Sequence, residues 1–201
     1  VDHSSPELFD AISRQAIKKI HTFNSLSITN TVWAYAKMGH SSPELFDVMS
    51  RKVIKEIDTF NNSQGIANTV WAYAKLGHGS SELFDALAQK AMDKVNYLNS
   101  MSIANIVWAY AKVGHPDKLL FDAISCKAIE KIDTFDSRGI VKIVWAYAKV
   151  GRHSTSSFLV RELFDAFSYK LMEKVNTLNS QEIANIVWAY AKVGHSSPKL
   201  F

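Results

Sequence analysis

The chain holds 201 residues, 47% hydrophobic and 21% charged, a composition that excludes a disordered or collagen-like protein. Its 23 Lys and Arg against 19 Asp and Glu leave a net charge of +4, which permits an anionic partner without requiring one. The single cysteine, Cys126, excludes an internal disulfide framework and a multi-cysteine zinc site, and no apolar run reaches the length of a membrane span.

Periodicity organises the rest. The string Trp-Ala-Tyr-Ala-Lys occurs five times, with its Trp at 33, 71, 108, 145 and 188. Leu-Phe-Asp recurs five times, at 8–10, 45–47, 83–85, 120–122 and 163–165. A period of 37–38 residues means a stack of similar units, each too small to bury its own core. The chain is therefore expected to be one repeat array over residues 1–201, open at both ends and cut from a longer protein. The last spacing is longer, and residues 152–161 carry the insertion.

In chain order, each unit offers a first helix, B, and a second, A. The first B helix starts at Ser5-Pro6-Glu7: a cap, a proline at the first helical position and an acid at the positive end of the dipole. It gathers Leu8, Phe9, Ile12, Ala16, Ile17, Ile20 and Phe23 on one side, with Asp10, Arg14 and Lys18 four apart on the other. The first A helix is capped by Asn24 or Ser25 and ends at Gly39, where a left-handed C′ glycine belongs. In the second unit Ser42-Pro43-Glu44 opens a B helix expected to reach about Thr59, and an A helix follows over 63–77. The third A helix is read over 100–114. In the fourth unit Asp117 replaces Ser as the B cap, and the A helix spans 137–151. In the fifth, Asn179 and Glu182 have capping-box spacing before an A helix over 180–194. No segment alternates with a period of two. The expected fold is all-α: an α-solenoid of helix–turn–helix repeats, ten helices in a right-handed superhelix.

Opposite the apolar arc of the first A helix stand Ser27, Asn30, Ala34 and Lys37. The later units place Gly65/Asn68/Ala72/Lys75, Ser102/Asn105/Ala109/Lys112, Gly139/Lys142/Ala146/Lys149 and Glu182/Asn185/Ala189/Lys192 there. Solenoids expose one helix layer on a concave binding surface, and the A helices are assigned to it. They carry seven bases (Lys37, Lys75, Lys112, Arg138, Lys142, Lys149 and Lys192) and one acid, Glu182, so the remainder of the chain is net negative. A segregated basic stripe is the footprint of a polyanion binder.

The five Trp are expected to pack between units, with base stacking as the other possibility. The Tyr of each Trp-Ala-Tyr falls inside the apolar arc. The histidines near the A-helix ends, one repeat apart, are too far from one another to share a metal ion, and Cys126 has no recurring His or Asp partner. No metal site, cofactor or catalytic constellation is expected, so the chain is read as a binding module and not an enzyme. The repeated Asn has two readings, a structural bond to a neighbouring unit's backbone or contact with a ligand. Lys142, which replaces it in the fourth unit, favours the second. The residues before it vary: Leu26-Ser27, Gln64-Gly65, Met101-Ser102, Arg138-Gly139 and Gln181-Glu182. Variation beside a fixed Asn and Lys is the pattern of one-base-per-unit recognition.

The units, typified by Ile-Ala-Asn-Thr-Val-Trp-Ala-Tyr-Ala-Lys-Leu-Gly at 66–77, resemble octotricopeptide-type repeats and the helical repeats found upstream of RAP domains in FAST-kinase-like proteins. The resemblance implies a single-stranded RNA binder in a chloroplast or mitochondrion, controlling RNA stability, processing or translation. It places base reading early in helix A. The expected base-reading residues are Ser27, Asn30, Gln64, Asn68, Ser102, Asn105, Arg138, Lys142, Gln181 and Asn185, with Lys37, Lys75, Lys112, Lys149 and Lys192 on phosphates. Further protein partners would act through flanking domains, and no membrane role is expected. The rival reading is an armadillo-like scaffold whose inner Asn residues hold an acidic peptide.

Overall fold

The computed structural model describes residues 5–151 and 155–195; among these there are ten α-helices and no strand. They are α1 (Pro6–Lys18), α2 (Ser25–Met38), α3 (Pro43–Lys55), α4 (Ser63–Leu76), α5 (Ser81–Asp93), α6 (Ser100–Val113), α7 (Lys118–Glu130), α8 (Ser137–Val150), α9 (Ser157–Lys174) and α10 (Ser180–Val193). Odd-numbered helices are the B helices and even-numbered ones the A helices. His3, His153 and part of the 152–161 insertion lie outside the described residues.

The B helices end sooner than the apolar pattern indicates. The second stops at Lys55 and continues as a single 3-10 turn, Ile57–Thr59, and the other four do likewise. In four of the turns a threonine explains the tightening. Thr22, Thr59, Thr134 and Thr177 each donate their hydroxyl to the carbonyl three residues back, at the helix end.

Every A helix begins with a side-chain cap. Asn24, Asn62, Asn99, Asp136 and Asn179 each accept from the N–H three residues on, and Glu182 completes the capping box with Asn179. Gly39, Gly77, Gly114 and Gly194 close four A helices in the left-handed region, φ 66–74°.

A repeated aromatic fastener joins the two helices of a unit. Tyr35, Tyr73, Tyr110, Tyr147 and Tyr190 donate their hydroxyls to the carbonyls of Phe9, Phe46, Phe84, Phe121 and Phe164, at 2.7–3.1 Å. Each ring meets the same Phe edge-on, with centroids 4.8–5.5 Å apart. Burial pushes the pKa of all five phenols upward, that of Tyr190 to about 12.

The histidines latch the A-helix ends to the Asp of Leu-Phe-Asp: His40 meets Asp10 and His115 meets Asp85 in hydrogen bonds of 3.1 and 2.7 Å, while His195 Nε2 lies 3.2 Å from Asp165 without a hydrogen bond. His78 instead meets the Ser41 hydroxyl at 3.0 Å. The expected acid-to-base ladder on the B helices is therefore only partly present. Asp47 pairs with Arg51, whereas Asp10 turns to His40. In the fourth unit the insertion takes over. Asp122 Oδ1 accepts from the Thr155 hydroxyl at 2.6 Å and the Ser156 N–H at 2.8 Å, while its other oxygen pairs with Lys118.

Successive units are joined at the A-helix starts. Ser25, Ser63 and Ser100 donate to the carbonyls of Thr59, Tyr97 and Thr134 in the next unit's turn, and Ser137 meets the Thr177 hydroxyl. The A helices pack against one another along their lengths and more closely than the B helices do. Closer spacing in one layer curves a stack toward that layer, so the A helices line the inner side. Fully buried Ala72, Ala109, Ala146 and Ala189 permit the close approach.

Candidate nucleic-acid interface

The close packing of the A helices decides which residues reach the inner surface. The mid-helix Ala, expected in the open stripe, lies in the helix–helix contact instead. Ser102, only 2% exposed, is buried too, as is its equivalent Gly139. Ser102 cannot touch a base on this surface, which corrects its assignment as a reading residue. Ser27 is turned toward its own cap, donating both its N–H and its hydroxyl to Asn24 Oδ1.

The open stripe is rotated by one residue. Positions 26, 30, 33 and 37, spaced 4, 3 and 4, share one face of α2, and all four side chains are exposed. The equivalents are Gln64/Asn68/Trp71/Lys75, Met101/Asn105/Trp108/Lys112, Arg138/Lys142/Trp145/Lys149 and Gln181/Asn185/Trp188/Lys192, all exposed or half-buried. Gln64, Arg138 and Gln181 thus lie on the surface as expected. In the first and third units the exposed member is Leu26 or Met101, each 66% exposed, in place of Ser27 or Ser102. The resemblance places base reading at positions 26, 27 and 30 and their equivalents, which include these two, whereas the Trp was expected at the edge of the apolar arc. The 4-3-4 spacing through the fixed Asn, Trp and Lys carried the signal.

The Trp row is mixed. Trp71, Trp108 and Trp145 are half-buried against the core, which supports the packing expectation, whereas the terminal Trp33 and Trp188 are 41% and 44% exposed. Lys75, Lys112 and Lys149 hold their ammonium groups 4.9–5.1 Å from the centroids of Trp71, Trp108 and Trp145. Two of them also reach the preceding unit. Lys112 Nζ donates to the Lys75 carbonyl at 3.2 Å and Lys149 Nζ to the Lys112 carbonyl at 3.4 Å. One such bond leaves an ammonium two further donors. Lys37 and Lys192 are exposed and have no partner among the described residues.

The Asn row does not bond backbone. Asn30 and Asn68 have no hydrogen-bond partner among the described residues, and both line a cleft of about 230 Å³ between α2 and α4. Leu26, Thr29, Phe60, Asn62 and Gln64 share that cleft. Beneath it Thr29 and Thr69 join hydroxyls at 3.1 Å. Asn185 accepts from Gln181 on its own helix at 3.2 Å. Asn105 accepts from Lys142 Nζ of the next unit at 2.8 Å. Lys142 is half-buried, and not fully facing solvent as expected. Burial lowers its pKa from the ordinary lysine value, Asp136 raises it in part and Arg138 lowers it again.

Unpartnered amides beside a row of cations on the inner face of a helical array form a surface suited to a polyanion with hydrogen-bonding edges. Residues 2–198 match the RNA-editing substrate-binding complex 6 protein family. The chain belongs to that family. The match supports an RNA-related role and names a different family from the octotricopeptide and FAST-kinase-like repeats that the sequence resembles. A search of curated proteins finds no match for the chain. As a member of the RNA-editing substrate-binding complex 6 family, it presents no helix among the described residues that is long and apolar enough to cross a membrane. Nor do three or more His, Cys, Asp or Glu side chains gather there to hold a metal ion.

Proposed function

We propose that the array binds single-stranded RNA along the inner A-helix face, at about one nucleotide per repeat, as the RNA-contacting part of an RNA-editing substrate-binding complex. The observation that carries this reading is the cleft between Asn30 and Asn68, whose amide groups have no partner among the described residues beside the Lys row. An amide offers both a donor and an acceptor to a base edge. The residues at 26, 64, 101, 138 and 181 would vary the choice of base, and Lys37, Lys75, Lys112, Lys149 and Lys192 would neutralise phosphates. Lys142, held by Asn105, would give the fourth unit a preference for bases that present acceptors. Other subunits of the complex would be its protein partners, and a mitochondrial location fits an RNA-editing role.

The testing experiment is selection from a randomised RNA pool with the purified chain, followed by affinity measurements over a range of salt. A recovered motif of about five nucleotides and a log-linear fall of affinity with salt are expected. The absence of any motif, with an acidic peptide bound instead, would transfer the Asn row to the peptide-scaffold reading.

A further inference from the structure

Two departures from the repeat meet at one place. The Trp-to-Trp spacing is 38 between the first two units and 37 between the next two. The extra residue is Asn61, between Phe60 and the capping Asn62, where the other units run directly from the turn to the cap. It alters the backbone locally. Phe60 has ψ 70°, against 127–134° at Phe23, Leu98, Phe135 and Leu178. Asn61 is held by its N–H on the Thr59 carbonyl and its side chain on the Asp58 carbonyl, both at 2.9 Å.

The second departure is Tyr97. It occupies the 3-10 turn position that is Thr22, Thr59, Thr134 and Thr177 in the other units. The tyrosine forgoes the hydroxyl bond each of those threonines makes to its helix end, and it leaves its ring 74% exposed. The Lys94 ammonium stands 6.0 Å from the ring centroid. Asn61, Asn62, Ser63, Lys94 and Tyr97 together line an open pocket of about 330 Å³. Asn62 also lines the cleft between Asn30 and Asn68, so the two hollows adjoin. No acid lines the pocket; Asp58, whose carbonyl holds Asn61, is fully exposed and pairs with Lys90 of the next B helix.

We propose that this pocket is a base-stacking station for single-stranded RNA leaving the inner groove. An exposed aromatic ring flanked by a cation and amide donors takes a nucleobase on its face and the adjoining phosphate on the cation, and it does so whatever the base. The proposal rests on the RNA-binding reading and adds a site outside the one-per-repeat row.

The test compares the parent chain with Tyr97→Thr and Tyr97→Phe, using single-stranded 12-mers of all-A, all-U and mixed sequence. Threonine is the residue of the other four units and supplies the missing cap, so Tyr97→Thr should keep the parent's helical signal and melting point. Its affinity for every 12-mer should fall by a similar factor, roughly 5- to 100-fold. Tyr97→Phe should bind as the parent does. A 2-aminopurine placed in the bound strand should be quenched by the parent and less so by Tyr97→Thr. Equal binding by the parent and Tyr97→Thr would remove the station and leave the inner groove standing. A parent that binds none of the 12-mers would overturn the station and the groove together. Loss of a protein partner with RNA affinity unchanged in Tyr97→Thr would make Tyr97 a protein-docking residue and overturn the proposal.

Discussion

Tyr110 and Lys142 differ in what each can lose. Tyr110 is wholly buried, and its hydroxyl makes a 2.7 Å bond to the Phe84 carbonyl. The third unit has Ala88 at the position equivalent to Ser13, Ser125 and Ser168, which meet the Tyr hydroxyls of their own units. Tyr110→Phe should therefore cost about 1 kcal/mol, the net worth of one hydrogen bond, read as a lower urea midpoint with an unchanged slope. Trp108→Ala removes a ring only half-buried. It should cost about 3 kcal/mol, at the lower end for aromatic truncation. Lys142→Asn takes a cation out of a half-buried position where folding depresses its pKa, so the substitution should leave stability unchanged or slightly raised at pH 7. The selected RNA motif should change at one nucleotide only. A change at every position would remove Lys142 from base reading. Solvent exposure at positions 30 and 37 was visible from helical spacing alone. The Lys142–Asn105 bond and the burial of Ser102 were not, because each depends on a helix about 37 residues away.

Among the elements, α2 and α10 carry in their last turns lysines, Lys37 and Lys192, that have no partner among the described residues. Replacing these two by Gln should leave the melting point unchanged and flatten the log–log salt slope of RNA binding by about 1.4, at about 0.7 per phosphate contact on a single strand. An unchanged slope would place the phosphates elsewhere. Helix α9 is governed by Asp122. Partial burial raises that carboxyl's pKa, but bonds from Lys118, Thr155 and the Ser156 N–H outweigh burial and leave it lowered. A lowered carboxyl pKa contributes stability that is complete above the unfolded value near 3.9 and lost as pH falls through the folded value. Asp122→Asn should therefore reduce amide-exchange protection in the first turn of α9 at pH 7, and the gap to the parent should close toward pH 3. The helices themselves were legible from local signals: Asn24 and Asn179 as caps, Gly39 as a stop, and the 3.6-residue apolar period. The early ends of the B helices were not, since Ile57 continues the period while the Thr59 hydroxyl tightens the turn.

Across the molecule, every described bond between units joins a unit to its immediate neighbour, among them those of Ser25, Ser63, Ser100 and Ser137, of Lys112 and Lys149, and of Lys142 with Asn105. The five-unit architecture followed from the recurrence of Trp-Ala-Tyr-Ala-Lys. The rotation of the inner stripe followed only from how closely the A helices approach. Excising residues 79–115 removes one full period and joins His78 to Pro116, as His115 is joined now. The four-unit chain should remain helical, and its selected RNA motif should shorten by about one nucleotide. A motif of unchanged length would show that the units do not act one per base. The exposed Trp33 and Trp188, beside the half-buried Trp71, Trp108 and Trp145, have a kinetic consequence. With neighbour-only coupling, the array opens like a zipper from its two ends, and the middle unit opens last. Amides of α6 should exchange slowest, those of α2 and α10 fastest, and bound RNA should slow the ends more than the centre.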